Sequence, residues 1–145
     1  MIRVVIDTSV LVSAVISPTG PNAEVFELII ADKIRPYLTT AVVEEYDRVF
    51  EYEHLKHLDK RRVAKVRGLL DATAVKVKSR GRLKISSHED DNRIYECAVA
   101  AKAHYIVTEN TKHFSKPYKT TKIVNARKLL ELMGTGPLGR TKEQP

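Results

Sequence analysis

Short β-branched runs alternate with helical stretches along almost the whole chain, and this alternation constrains the fold more than any other feature. Val4, Val5 and Ile6 form an apolar run that stops at Asp7, which reads as a buried strand. Val10–Ile16 follows, too long for one strand, with Thr8 or Ser9 as its helix cap. After the turn formers Ser17-Pro18-Thr19-Gly20-Pro21, Asn22 is expected to cap a helix to about Ala31, and Arg35–Leu38 to be a second strand. Thr39 or Thr40 caps a helix with Val42, Val43, Tyr46 and Phe50 on one face, and residues 59–72 repeat the pattern with Val63, Val66, Leu69 and Leu70. Ala74–Val77 reads as a third strand and Ser79–His88 as a loop. A helix over 91–102 leads into a fourth strand, Tyr105–Val107. Lys122–Val124 is a short fifth, followed by a helix from Asn125 to Met133. Such alternation predicts an α/β fold: a three-layer α/β/α arrangement around a mostly parallel four- to five-stranded sheet.

With 145 residues the chain fits one domain, expected over 1–133, with a disordered tail at 134–145 that is rich in Gly and Pro. The single cysteine, Cys97, excludes a disulfide framework and a thiolate metal cluster. The five histidines show no zinc-ligand spacing, and no phosphate loop of the G-x-x-x-x-G-K-[S/T] type occurs. No apolar run approaches the ~18 residues of a membrane span. The opening MIRVVIDTS meets Asp7 too early for a signal peptide, so a cytoplasmic protein is expected.

Charge is unevenly distributed. The net charge is +7, but residues 56–84 hold 11 basic and 2 acidic side chains, leaving the rest of the chain at −2. A near-neutral body with one basic stretch favours a polyanionic partner, with nucleic acid the commonest. Lys56, Lys60, Arg61, Arg62, Lys65 and Arg67 lie on or near one helix. Lys76, Lys78, Arg80, Arg82 and Lys84 alternate at period two and would line one side of an extended chain. They suit salt-sensitive phosphate contacts, or an edge strand protected by charge.

In an open parallel sheet, sites form beyond the carboxyl ends of strands. Asp7 ends the first strand, and Thr108, Glu109 and Asn110 follow the fourth. Asp90 and Asp91 open the helix before that strand, and Glu44 and Glu45 lie in the first turns of a helix that follows a strand. Each can be read as a helix cap or a solvated side chain. Together they form an oxygen-only set that suits Mg²⁺ or Mn²⁺.

These residues resemble the PIN-domain ribonucleases, in particular the toxin components of toxin–antitoxin pairs. The resemblance rests on three segments in order: VVIDTSVLVSA at 4–14, TTAVVEEY at 39–46, and EDDNRIYECAVAAKAHYIVTENTKHF at 89–114. It implies that Asp7, Glu45 and Asp91 hold Mg²⁺ or Mn²⁺ and that Asn110 stands where the family has a fourth acidic residue. The Asn110 amide oxygen can ligate a metal without carrying charge, and Glu109 stands beside it. Thr8, Ser9, Asp90 and Thr108 become candidates for orienting carboxylates or water. The implied activity is metal-dependent cleavage of RNA. The implied partners are the RNA substrate, a small antitoxin and a second copy in a homodimer, with no membrane. Two other readings remain open from the residues: a receiver-like regulatory domain, and a catalytically weak or inactive RNA-binding scaffold on the same fold.

Overall fold

The structure is a computed structural model, and it describes residues 1–114 and 116–134. The expected tail, from residue 135 on, lies outside the described residues. The element order is β1 (Ile2–Ile6), α1 (Thr8–Ile16), α2 (Pro21–Ile30), β2 (Ile34–Leu38), α3 (Thr40–Phe50), a 3₁₀ turn (Glu53–Leu55), α4 (Lys60–Thr73), β3 (Val75–Lys76), α5 (Glu89–Ala101), β4 (Tyr105–Val107), β5 (Lys122–Val124) and α6 (Ala126–Leu132).

The five strands form one sheet in the order β3-β2-β1-β4-β5, and all four pairings are parallel. This is the three-layer α/β/α architecture expected from the alternation. β1 sits at the centre, with Ile6 opposite Val107 of β4 and Ile2 opposite Ile34 of β2. Val4, Val5 and Ile6 are fully or almost fully buried, which is why the run is continuously apolar rather than alternating. Right-handed crossovers place the β1-to-β3 helices on one face and the β3-to-β4 helix on the other. Accordingly α1 packs on α2 and α4, α6 on α2, and α5 lies against β1, β2 and β4. α3 touches both α1 and α5, so it links the two layers.

Several local expectations are corrected. Asp7, not Thr8 or Ser9, is the cap residue of α1, because Thr8 already has helical geometry. α2 begins at Pro21 with Gly20 as its cap; Pro fits the first helical position because no backbone N–H is needed there. Asn22 is therefore inside the helix and buried. Of the two candidate caps for α3, Thr39 serves, accepting the Val42 N–H. α5 starts at Glu89, two residues early, which puts Glu89, Asp90 and Asp91 together in its first turn.

The alternating basic run does not form a long strand. Only Val75–Lys76 pairs, against Tyr37 and Leu38. Beyond it the chain runs along the surface with Val77, Leu83 and Ile85 against the core and Lys78, Arg80, Arg82 and Lys84 exposed. Two buried side chains of α5 hold this segment in place of a neighbouring strand. Glu96 accepts the Leu83 N–H at 2.9 Å. Asn92 accepts the N–H groups of Ile85 and Ser86 and donates to the Ser86 carbonyl.

Candidate functional site

The chain leaves β1 in one direction, towards β2 and β3, and returns on its other side as β4. The crevice beyond the carboxyl ends of β1 and β4 is therefore a topological switch point, where α/β sheets bind ligands. Asp7 sits there because the Asp7 N–H continues the ladder to the Val107 carbonyl at 2.9 Å. The residue is 7% exposed. Its Oδ2 accepts from Ser9 Oγ at 2.7 Å and from Thr108 Oγ1 at 2.8 Å. Thr108 in turn accepts the Asn110 N–H, and Ser9 accepts the Glu109 N–H, so the turn after β4 is locked to the start of α1.

Glu45 enters from α3. Helical spacing separates it from its neighbour: Glu44 is exposed, while Glu45 is 8% exposed and faces inward. Its Oε2 accepts from Thr8 Oγ1 at 2.9 Å. The next residue, Tyr46, is fully buried and donates its hydroxyl to the Ile6 carbonyl, which anchors α3 to the end of β1. Burial pushes the Glu45 carboxyl from 4.5 up to about 7. The Thr8 hydrogen bond opposes this, Asp90 and Asp7 add to it, and Arg48 opposes it.

Asp91 enters from the first turn of α5. Burial raises its pKa, the Asp7 charge raises it further, and His113 and His88 oppose the rise. Its Oδ2 is buried without a hydrogen-bond partner among the described residues, with His113 Nδ1 4.0 Å away. The imidazoles of His113 and His88 stack at 4.5 Å. Asp90 points elsewhere and meets Arg48 at 3.4 Å on the surface.

Asp7 thus contributes to the shifts of both Glu45 and Asp91, and the three carboxylates form one electrostatic neighbourhood. Oxygen-only donors and an unpartnered buried carboxylate oxygen fit a hard divalent cation in kind. Their spacing is looser than a closed cage: among the described residues no three His, Cys, Asp or Glu side chains are placed to share one ion.

The remaining sequence candidates lie outside this group. Glu109 is exposed, and both its oxygens are engaged, by Asn22 Nδ2 at 2.6 Å and Ser13 Oγ at 2.5 Å. It braces α1 and α2 instead of turning towards Asp7. Asn110 is exposed and lines an open cleft with Asn22, Asn125 and Arg127. Arg62 and Lys65 border an apolar groove formed by Ala14, Val15, Phe26 and Ile30, and Lys56 and Lys60 border a second groove beside Phe50 and Leu55. Arg61, Arg80 and Arg82 are exposed. Arg67 is largely withdrawn from solvent: it pairs with Asp47 and Asp71 and covers the Tyr46 ring. Cys97 is a buried core residue whose thiol burial pushes up to about 12.

The sequence pattern marks no role for Asn92 or Glu96 and marks Asn22 only as a cap. An Asn inside a helix is the one available signal, since its propensity there is poor unless its side chain has a task. Nothing local marks the partner atoms, which lie up to 87 residues away for Asn22.

A parallel sheet with hydroxyl-braced carboxylates at its switch point defines an α/β domain with a candidate ligand site at its strand ends. A sequence model of the PIN domain family matches residues 3–112, and the chain belongs to that family. It is similar to the uncharacterised protein MJ1680 of Methanocaldococcus jannaschii, with 29% identity over 104 residues, 70% of this chain and 67% of that protein. The crystal structure of PAE2754 from Pyrobaculum aerophilum superposes with a TM-score of 0.55 at 14% identity, covering 91% of this chain and 89% of that one. At that identity the likeness concerns the fold.

Proposed function

We propose that the protein is a divalent-metal-dependent ribonuclease whose site is built on Asp7, Glu45 and Asp91. The observation that carries this reading is the buried Oδ2 of Asp91, without a hydrogen-bond partner among the described residues, on a carboxyl whose pKa is raised by burial and then by Asp7 at the switch point of a PIN domain. Mg²⁺ or Mn²⁺ would activate a water and offset charge developing on the phosphate. Mg²⁺ retains several waters, so the carboxylates need not all ligate it directly. The chain's own contribution is orientation. Ser9 and Thr108 fix the Asp7 carboxylate, and Thr8 fixes Glu45. Asp91 would help hold the cation through the carboxylate oxygen that has no hydrogen-bond partner among the described residues.

Asn110 would take its part through water, from the cleft it lines. Exposed Lys56, Lys60, Arg61, Arg62, Lys65, Arg80 and Arg82 would add sequence-independent phosphate contacts. The groove at Ala14, Phe26 and Ile30 supports a protein partner, for which a small antitoxin or a second copy of the chain is the reading implied by the toxin resemblance. The loose spacing of the carboxylates favours one alternative, an RNA-binding scaffold with little or no cleavage.

The deciding experiment is cleavage of single-stranded RNA by purified protein with Mg²⁺ or Mn²⁺. Cleavage abolished by EDTA and by Asp7→Asn or Asp91→Asn is expected. Cleavage that survives EDTA or both substitutions overturns the metal reading, and RNA binding without cleavage selects the scaffold.

A further inference from the structure

Beside the carboxylates lies a cleft of about 280 Å³ with the opposite character. It is lined by Ser86, Ser87, His88, Tyr95, Lys112, His113 and Lys116, with no Asp or Glu among the described residues. Two of the three acidic residues in the neighbouring first turn of α5, Glu89 and Asp90, are engaged elsewhere. Glu89 meets Arg93 and Asn92, Asp90 meets Arg48, and Asp91 stands behind His113. Neither Lys112 nor Lys116 has a carboxylate within ion-pair distance among the described residues. Two lysines therefore border one small cleft, and neither has a carboxylate counter-ion among the described residues.

The wall is fixed before any ligand arrives. Fully buried Asn92 holds Ser86 through both its backbone groups. The Ser86 hydroxyl accepts the His88 N–H at 3.1 Å, leaving its own hydrogen free to donate. Tyr95 donates its hydroxyl to the Lys116 carbonyl at 2.7 Å, which ties the segment bearing the lysines to α5. His88 stacks on His113, whose Nδ1 lies 4.0 Å from Asp91 Oδ2, so the cleft adjoins that carboxylate.

We infer that this cleft is a phosphate subsite, which holds a phosphate of a single-stranded nucleic acid next to the one presented to Asp7 and Asp91. Lys112 and Lys116 supply the charge and Ser86 a neutral donor, a combination suited to an anion of one or two charges. The inference rests on the proposed ribonuclease reading for its substrate class, but the binding itself needs no metal. It also places a phosphate-binding position outside the basic stretch at 56–84, on the loop after β4.

The test is fluorescence anisotropy of a short single-stranded RNA in EDTA, where no cleavage intrudes, across a salt series. The variants are Lys112→Ala/Lys116→Ala and, as a comparison on α4, Lys60→Ala/Arg61→Ala. All of these side chains are exposed, and thermal melts verify that the fold is retained. The cleft variant is expected to bind about tenfold more weakly, with its log-affinity against log-salt slope reduced by about 0.7 for each phosphate it no longer neutralises. Unchanged affinity and slope in the cleft variant, whatever the α4 variant does, overturns the subsite. RNAs with and without a 5′-phosphate distinguish the sources. A preference for the phosphorylated end that the cleft variant loses assigns the subsite to a terminal phosphate, and equal weakening for both RNAs assigns it to the backbone. Wild-type protein that binds through Lys112 and Lys116 but never cleaves refutes the nuclease reading and leaves the subsite standing. Cleavage and binding that the cleft variant retains in full do the reverse.

Discussion

Glu45 offers the sharpest test of the electrostatics, because replacing it with Gln should stabilise the protein. A carboxyl raised from 4.5 to about 7 is easier to bury neutral than charged. At ~1.4 kcal/mol per pH unit, that rise corresponds to about 3 kcal/mol against the ionised form as an upper limit. Asp90 and Arg48 near it are exposed, and solvent screening there reduces the figure to about 1–2 kcal/mol. The sign follows from linkage. The Glu45 contribution is fully present below about pH 4.5, where the group is neutral folded or unfolded, and is lost as pH rises through about 7. A Gln amide oxygen can still accept from Thr8 Oγ1, so Glu45→Gln mimics the protonated acid. At pH 8 the variant should melt roughly 3–6 °C above wild type, a shift that fits about 1–2 kcal/mol for a domain of this size. Well below pH 4.5 the two should coincide. Calorimetry or urea unfolding at several pH values reads this directly. A variant less stable at pH 8, or an offset that does not change with pH, refutes the argument that a buried, charge-crowded carboxylate sits here.

Mn²⁺ at pH 8 should raise the melting temperature of wild type in proportion to the logarithm of its concentration, and raise that of Glu45→Gln less, because an ion that binds only the folded state stabilises it. A melting temperature insensitive to Mn²⁺ would count against the carboxylate group as a cation site. Glu109→Gln should leave cleavage within a few-fold of wild type, since both Glu109 oxygens are engaged by Asn22 and Ser13; loss comparable to that of Asp7→Asn would show that Glu109 acts in the chemistry. Asn92→Ala should cost about 2 kcal/mol in urea unfolding and speed amide exchange at Ile85 and Ser86, whose N–H groups it leaves without their buried acceptor. Tyr46→Phe should cost about 1 kcal/mol by the same measurement, through loss of the hydroxyl donated to the Ile6 carbonyl.

The layer order and the parallel sheet were legible in the chain because buried parallel strands are continuously apolar and their crossover helices amphipathic; Val4–Ile6 and Tyr105–Val107 show this directly. Asp7 and Asp91 were legible as strand-end and helix-start acids, because alternating β and α directions bring those positions to one edge. The resemblance of TTAVVEEY to the PIN-domain family selected Glu45 over Glu44, and burial of one and exposure of the other follow from a 100° step around α3. The choice between local alternatives was not legible. Whether Asp7 or Thr8 caps α1, and whether Asn22 caps α2 or lies within it, depends on backbone angles that differ little in energy until packing fixes them.

Long-range pairing was decided by tertiary structure alone. Both oxygens of Glu109 are filled by α1 and α2, and so the acid nearest to Asn110 in sequence is turned away from Asp7. Lys76–Lys84 carries a strand's alternation, yet only Val75–Lys76 pairs, because Asn92 and Glu96 satisfy the following backbone without a neighbouring strand. The polyanion preference followed from the +9 of residues 56–84, a property of composition. The cation-lined cleft at Lys112 and Lys116 did not, because its character depends on where nearby carboxylates find partners. Sequence determined the periodicities that choose a fold and the edge at which its acids gather. Only the folded chain determined which of those acids stay unpaired, since that depends on groups brought together across as many as 101 residues, as Thr108 is with Asp7.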